Sequence, residues 1–182
     1  MEIRSDIELK GEEWFTINDK MVKVVFDTIY DAFKLAVSIG IMYDEQLDFT
    51  GDTTASITRN LLHRKSEELS YFFKTAVLTS NQIDLSEKDR LYLAFMDEMS
   101  DEEIDEDEMK IIKKEVSKDA FDFNEVSFLI GFANYGAKRI VECYSSHDGE
   151  MMENLKNFLS SSFNEETEEL KEKKKIKELT EE

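Results

Sequence analysis

The chain has 182 residues, 41% of them hydrophobic, with 13 Phe and 8 Met, which is enough for the core of one domain. Its 42 Asp and Glu against 23 Lys and Arg give a net charge of −19, which excludes a chain that binds nucleic-acid backbones or anionic membranes through its own charge. The single cysteine excludes an internal disulfide framework, and the absence of proline predicts a helix-rich chain with few rigid turns.

In chain order, residues 1–17 read as an N-terminal arm or a short hairpin. Ile3, Ile7 and Leu9, then Trp14, Phe15 and Ile17, flank Lys10-Gly11-Glu12-Glu13. Asn18 is placed to cap a helix through Met21, Val24 and Val25. The organising stretch is Thr28 to Gly40. Thr28 and Asp31 have capping-box spacing, with Asp in place of the usual Glu or Gln. Ile29, Ala32, Phe33, Ala36 and Val37 form an apolar stripe, and Leu35 and Ile39 widen it, so the helix is expected to be buried on most of its circumference. Gly40 stands where a left-handed C-cap would sit.

Residues 41–60 read as a loop with one short strand, because Asp48 to Thr54 is turn chemistry. Ser66 is placed to cap a second helix with a stripe of Leu69, Phe72, Phe73, Ala76 and Val77. Ser86 and Asp89 have capping-box spacing again. Residues 97–108 hold nine acids and no base, which predicts an acidic mobile insertion ahead of a helix carrying Met109, Ile112 and Val116. Asn124 is placed to cap the most apolar helix. Gly131 and Gly136 inside it each cost about 1 kcal/mol relative to Ala, and close approach of another helix is the usual compensation. Met151, Leu155 and Phe158 mark a last amphipathic helix. Residues 163–182 form a charged helical tail whose thin stripe is Leu170, Ile176 and Leu179. The expected fold is therefore all-α: a compact multi-helix single domain over 18–162, with an arm or hairpin before it.

The search for chemistry is short. His63 and His147 stand outside any metal-ligand spacing, and residues 97–108 lack the glycine that a calcium-binding EF-hand loop needs, so neither metal nor cofactor is expected. Cys143 reads as a buried structural thiol. No phosphate-cradling glycine loop and no nucleophile elbow is present, and no catalytic residue is assigned. The one local basic cluster outside the tail contains Arg59, Arg64 and Lys65. Together with Leu170, Ile176 and Leu179 these are the candidate interaction residues. With no leader-like start and no apolar run of about 18 residues, the expectation is a soluble cytoplasmic protein.

The segment Phe26 to Gly40 resembles the opening motif of a small bacterial family encoded beside Dnd-type DNA phosphorothioation and restriction systems. Phe26, Thr28, Asp31, Ala32, Ala36 and Gly40 meet the fixed positions of that motif. A second segment, Phe132-Ala133-Asn134-Tyr135-Gly136 with Ile140, is similar to the family's aromatic-Ala and glycine element, although Tyr135-Gly136 stands where the family usually has Gly-Gly. The resemblance spans residues 26–159. It implies an accessory protein of a phage-defence locus and carries no catalytic residues. The expected function is a non-catalytic interaction subunit that binds a larger nuclease or SMC-like ATPase, with no direct nucleic-acid binding and no membrane. The alternative is an acidic DNA mimic of the phage anti-restriction type.

Overall fold

The computed structural model describes residues 3, 5–98, 106–116, 124–147 and 149–161. Among the described residues the protein is mostly α-helical with one small antiparallel sheet. The elements are β1 (Ile7–Lys10), α1 (Glu12–Thr16) continuing into a π-helical turn (Ile17–Met21), α2 (Ile29–Tyr43), β2 (Thr53–Ile57), α3 (Arg59–Arg64) and α4 (Ser66–Thr79). Then come α5 (Glu87–Phe95) with a 3-10 turn (Met96–Glu98), α6 (Glu106–Val116), α7 (Glu125–Val141) and α8 over 149–161. Contacts divide the chain into two units, Met1–Val141 and Glu142–Glu182.

The first unit is built on α2 and α7, which pack more extensively than any other pair of elements. The Thr28–Asp31 box starts α2. The Thr28 hydroxyl accepts from Asp31 N–H at 3.2 Å, and the Asp31 carboxylate accepts from Thr28 N–H at 3.1 Å. From there Ala32, Phe33, Ala36, Val37 and Gly40 face inward. A methyl on Gly136 would fall 2.6 Å from the Ala36 Cα and overlap its carbonyl. A methyl on Gly40 would fall 2.7 Å from the Phe132 Cα. Position 36 meets 136 and position 40 meets 132, so the helices run antiparallel with their backbones in contact over one turn. This corrects the reading of Gly40 as a C-cap. The helix continues to Tyr43 because Gly40 is needed as a gap for α7. The left-handed cap falls on Asp44 (φ 54°, ψ 44°), and a short polar side chain tolerates that conformation. The Asp44 carboxylate also accepts from Asn81 N–H at 2.7 Å, tying the end of α2 to the end of α4.

Of the two expectations for the N-terminal stretch, the extended arm laid on the domain fits and the hairpin does not. β1 forms no hairpin within residues 1–17. It pairs antiparallel with β2, Ile7 opposite Ile57 and Leu9 opposite Ala55, with a bulge after Leu9. Gly11, at φ 95°, turns the chain out of the strand, so α1 occupies the place where a return strand would run. Trp14 is then fully buried and reaches Phe33, with ring centroids 6.3 Å apart. Asn18 lies inside the π-helical turn and caps nothing, and residues 22–25 form a turn rather than the helix expected through Val24 and Val25.

Behind α7, Phe73 of α4 meets Phe128 edge-on at 5.7 Å, and Phe128 meets Phe132 at 5.4 Å. Ser66 begins α4 without a side-chain cap, since a separate short helix, α3, runs up to it. The α4–α5 connection is held by Arg90. Its guanidinium donates to the carbonyls of Val77 (2.8 Å), Ser80 (2.6 Å), Ile83 and, through Nε, Leu85 (3.1 Å). The acidic stretch is described only at its ends, where α6 begins within it at Glu106. Met109 and Ile112 of α6 are buried. In the second unit Cys143, Met151 and Leu155 are buried, and the Cys143 carbonyl accepts from Asn154 Nδ2.

Candidate functional site

Two polar places stand out in the first unit. One is the junction of α2 and α4. Tyr30 is 2% exposed, and its hydroxyl donates to Glu68 at 3.1 Å. Lys34 lies 3.3 Å from Asp31 and 3.6 Å from Glu68, and Lys65 lies 3.8 Å from Glu68. Both ammonium groups stand over the Tyr30 ring, at 5.5 and 5.9 Å. Burial pushes the Tyr30 phenol up, and the Glu68 carboxylate beside it adds to the shift, so the hydroxyl remains a donor. The Thr28 hydrogen bond, opposed by burial and helped by Lys34, holds the Asp31 carboxyl below the usual carboxylate range. The cluster is a neutralised junction that joins two helices.

The sequence-predicted basic cluster is divided by this arrangement. Lys65 belongs to the Tyr30–Glu68 junction. Arg59 is the first residue of α3, with its Nε 3.1 Å from His63 Nε2 on the next turn, and Arg64 is exposed at the end of α3. Leu170, Ile176 and Leu179 lie outside the described residues. The two packing glycines also separate. Gly136 meets the backbone of α2, whereas Gly131 meets the side chain of Gln46, and its carbonyl accepts from Leu47 N–H at 3.0 Å.

The second place was not foreseen. A cavity of about 500 Å³ opens between the N-terminal strand and the first three turns of α7. On the strand side it is lined by Ser5, Asp6, Ile7, Glu8 and Lys10. On the helix side it is lined by Asn124, Ser127, Ile130 and Asn134, and Phe49 and Leu62 close it with apolar surface. Asn124 caps α7, its Oδ1 accepting from Val126 N–H at 2.8 Å and Ser127 N–H at 3.3 Å. Asp6 accepts from Arg59 N–H at 2.7 Å, which supplies the α3 start with the acceptor that Thr58 does not provide. Asn134 is 5% exposed, and both ends of its amide are used. Its Oδ1 accepts from Trp14 Nε1 at 2.9 Å and its Nδ2 donates to the Leu47 carbonyl at 3.0 Å.

These partners are more than 80 residues away in the sequence, so no local signal could have shown them. The wall positions are thus fixed from four directions, which makes the groove a preformed surface rich in hydrogen-bonding groups.

Among the described residues, no group of three or more His, Cys, Asp and Glu could hold a metal ion, and no helix is long and apolar enough to cross a membrane. Comparison of the chain with protein-family models, curated proteins and solved structures returns no match.

Proposed function

We propose that the protein is a non-catalytic interaction subunit of a bacterial anti-phage defence complex, binding a larger nuclease or SMC-like ATPase. The observation that carries the reading is the meeting of the two segments that bear the family resemblance. Ala36 and Gly40 from the first lie against Gly136 and Phe132 from the second. Two motifs nearly a hundred residues apart thus form one physical unit, a backbone-close helix crossing, which is what a shared fold would retain. Tyr135 stands where the family usually has glycine, and its ring meets that of Tyr43, the last residue of α2, at 5.8 Å, so this position too packs α7 against α2. The motif therefore describes how the domain is held together, and function falls to its surface. A net charge of −19 favours partners with basic protein surfaces.

Co-purification from an intact operon tests the reading. The expected result is a complex that contains this chain and a larger nuclease or ATPase. If the neighbouring proteins assemble fully without it, the reading fails. The same charge supports a second reading, a DNA mimic occupying a basic groove. That reading requires competition with duplex DNA that weakens steeply with salt.

A further inference from the structure

We infer that the groove between β1 and α7 takes an extended, basic peptide segment of a partner protein, which adds to β1 as a third strand. The inference rests on the protein-binding part of the proposed function and not on the defence assignment. Among the described residues β1 pairs only with β2, so one long edge of the strand is open to pairing.

The cavity lies along that edge. It is lined by Asp6 just before the strand and by Ile7, Glu8 and Lys10 of β1. It thus touches the adjacent residues Ile7 and Glu8, whereas a cavity over one sheet face would touch only every second residue. No residue of β2 lines it. The direction of the main-chain groups agrees. The Thr54 hydroxyl, on the β2 side, donates to the carbonyls of Leu9 at 3.2 Å and Gly11 at 3.1 Å, so these point towards β2. Strand alternation then turns the N–H and C=O of Glu8 to the opposite edge, into the groove.

The chemistry of the groove specifies the occupant. Main-chain donors and acceptors along one wall recognise an extended backbone in any sequence. The other wall is one face of α7, where Ser127, Ile130 and Asn134 recur at i, i+3 and i+7 with an apolar position between two polar ones. Alternate side chains of an added strand would point to that face. Asp6 and Glu8 lie on the strand wall against the single Lys10, on a chain of net charge −19, so the occupant that complements the groove is basic. Four residues of β1 span about 14 Å, which sets the paired length at three or four residues. Strand addition of this kind needs no rearrangement, because Asn124, Asp6 and Asn134 already fix both walls.

The test uses the isotope-labelled full chain and an acetylated, amidated peptide of alternating lysine and valine. Controls are the same peptide N-methylated at alternate backbone nitrogens and a glutamate–valine counterpart. In the free protein the Glu8 amide should exchange quickly and the Leu9 amide slowly. The lysine–valine peptide should slow Glu8 exchange and shift the Ser127 and Ile130 amides, while both controls leave them unchanged. Glu8→Pro removes the N–H that faces the groove together with the Glu8 carboxylate, which accepts from the Thr53 hydroxyl at 3.0 Å, so Glu8→Gln serves as the side-chain control. The proline variant should keep its helical circular dichroism and slow Leu9 exchange and lose the peptide response, while Glu8→Gln keeps a measurable response. The inference is overturned if the Glu8 amide is already protected in the free protein, or if the N-methylated peptide acts as well as the parent. It is also overturned if the shifts map away from β1 and α7 or do not occur, or if Glu8→Pro unfolds, which would place that N–H in the β1–β2 ladder. Purified protein and synthetic peptide suffice, so a negative result here leaves the co-purification test untouched, and failure of co-purification leaves this one standing.

Discussion

The two halves of α7 are built on opposite terms. From Phe132 onward the helix has given up side chains so that its backbone can lie on α2, with Gly136 against Ala36 and Phe132 against Gly40. From Asn124 to Gly131 it keeps its side chains and meets other side chains, a loop N–H that donates to the Gly131 carbonyl, and an open cavity. A close backbone contact is rigid because nothing in it can rotate away, and packed interiors transmit such strain rather than absorb it. A side-chain contact can adjust. One helix thus anchors the fold with one end and presents a surface with the other, and the anchored end holds the presented end in place.

The sharpest way to break the contrast is Gly136→Ala. A free helix would gain about 1 kcal/mol in propensity. Here the new methyl overlaps the Ala36 carbonyl, and neither backbone can yield without displacing its helix. Overpacking costs of about 1–3 kcal/mol assume that neighbours can repack, so a net loss of about 3 kcal/mol is expected, read as a lower denaturation midpoint. Gly40→Ala should match it, because the contact is reciprocal. A midpoint that rises in either variant would show that the two helices are further apart than this.

Asn134 stands at the boundary between the two halves and should give an intermediate effect. Asn134→Leu fits the apolar surroundings but leaves Trp14 Nε1 and the Leu47 carbonyl without their partner. A loss of about 1–3 kcal/mol follows from leaving buried polar groups unpaired. The Trp14 emission spectrum should also shift, since its indole N–H loses its acceptor. An unchanged spectrum would contradict the hydrogen bond.

Much of α2 was readable because its signals are local. Thr28 and Asp31 are three residues apart, and the apolar stripe repeats every turn. The glycine of α7 was readable because a costly residue in an apolar helix needs a reason. Gly40 was misread because a glycine at a helix end and a glycine under a crossing helix look alike in sequence. What separates them is Phe132, more than ninety residues on. The same holds for β1, whose partner strand begins at Thr53, and for Arg90, whose four carbonyl acceptors carry no side-chain signature. The groove is legible only once β1 and α7 are adjacent. Of the residues that wall it, only Asn124 had a role assigned from sequence, as a helix cap.

The cap at the start of α2 gives a smaller effect with a pH signature. Thr28→Ala removes the acceptor for Asp31 N–H and should cost about 1 kcal/mol near neutrality. The Thr28 hydroxyl also donates to the Asp31 carboxylate at 2.7 Å, and this bond does most to hold that carboxyl below its ordinary value. A depressed carboxyl contributes stability that is full above its unfolded pKa of about 3.9 and is lost as pH falls through the folded value. The deficit of the variant should therefore shrink in acid, and the Asp31 titration midpoint should rise in Thr28→Ala. A deficit independent of pH would assign the whole effect to the backbone N–H.

The smallest expected effect makes the contrast within α7 clearest. Gly131→Ala is chemically the same change as Gly136→Ala, on the same helix, five residues earlier. At Gly131 the added methyl meets the Gln46 amide oxygen at 3.0 Å and its Cβ at 3.3 Å. The amide is the end of a flexible side chain on a loop and can swing aside, while the Cβ requires a shift of a few tenths of an ångström. The propensity gain of about 1 kcal/mol and the cost of moving Gln46 nearly cancel, so the midpoint should stay within about 0.5 kcal/mol of the parent. Gln46→Ala in the same background removes the obstruction and should convert the change into a net gain. If Gly131→Ala instead costs as much as Gly136→Ala, the loop at 44–47 is as unyielding as a helix backbone. The first two turns of α7 would then be part of the anchor rather than a surface held by it.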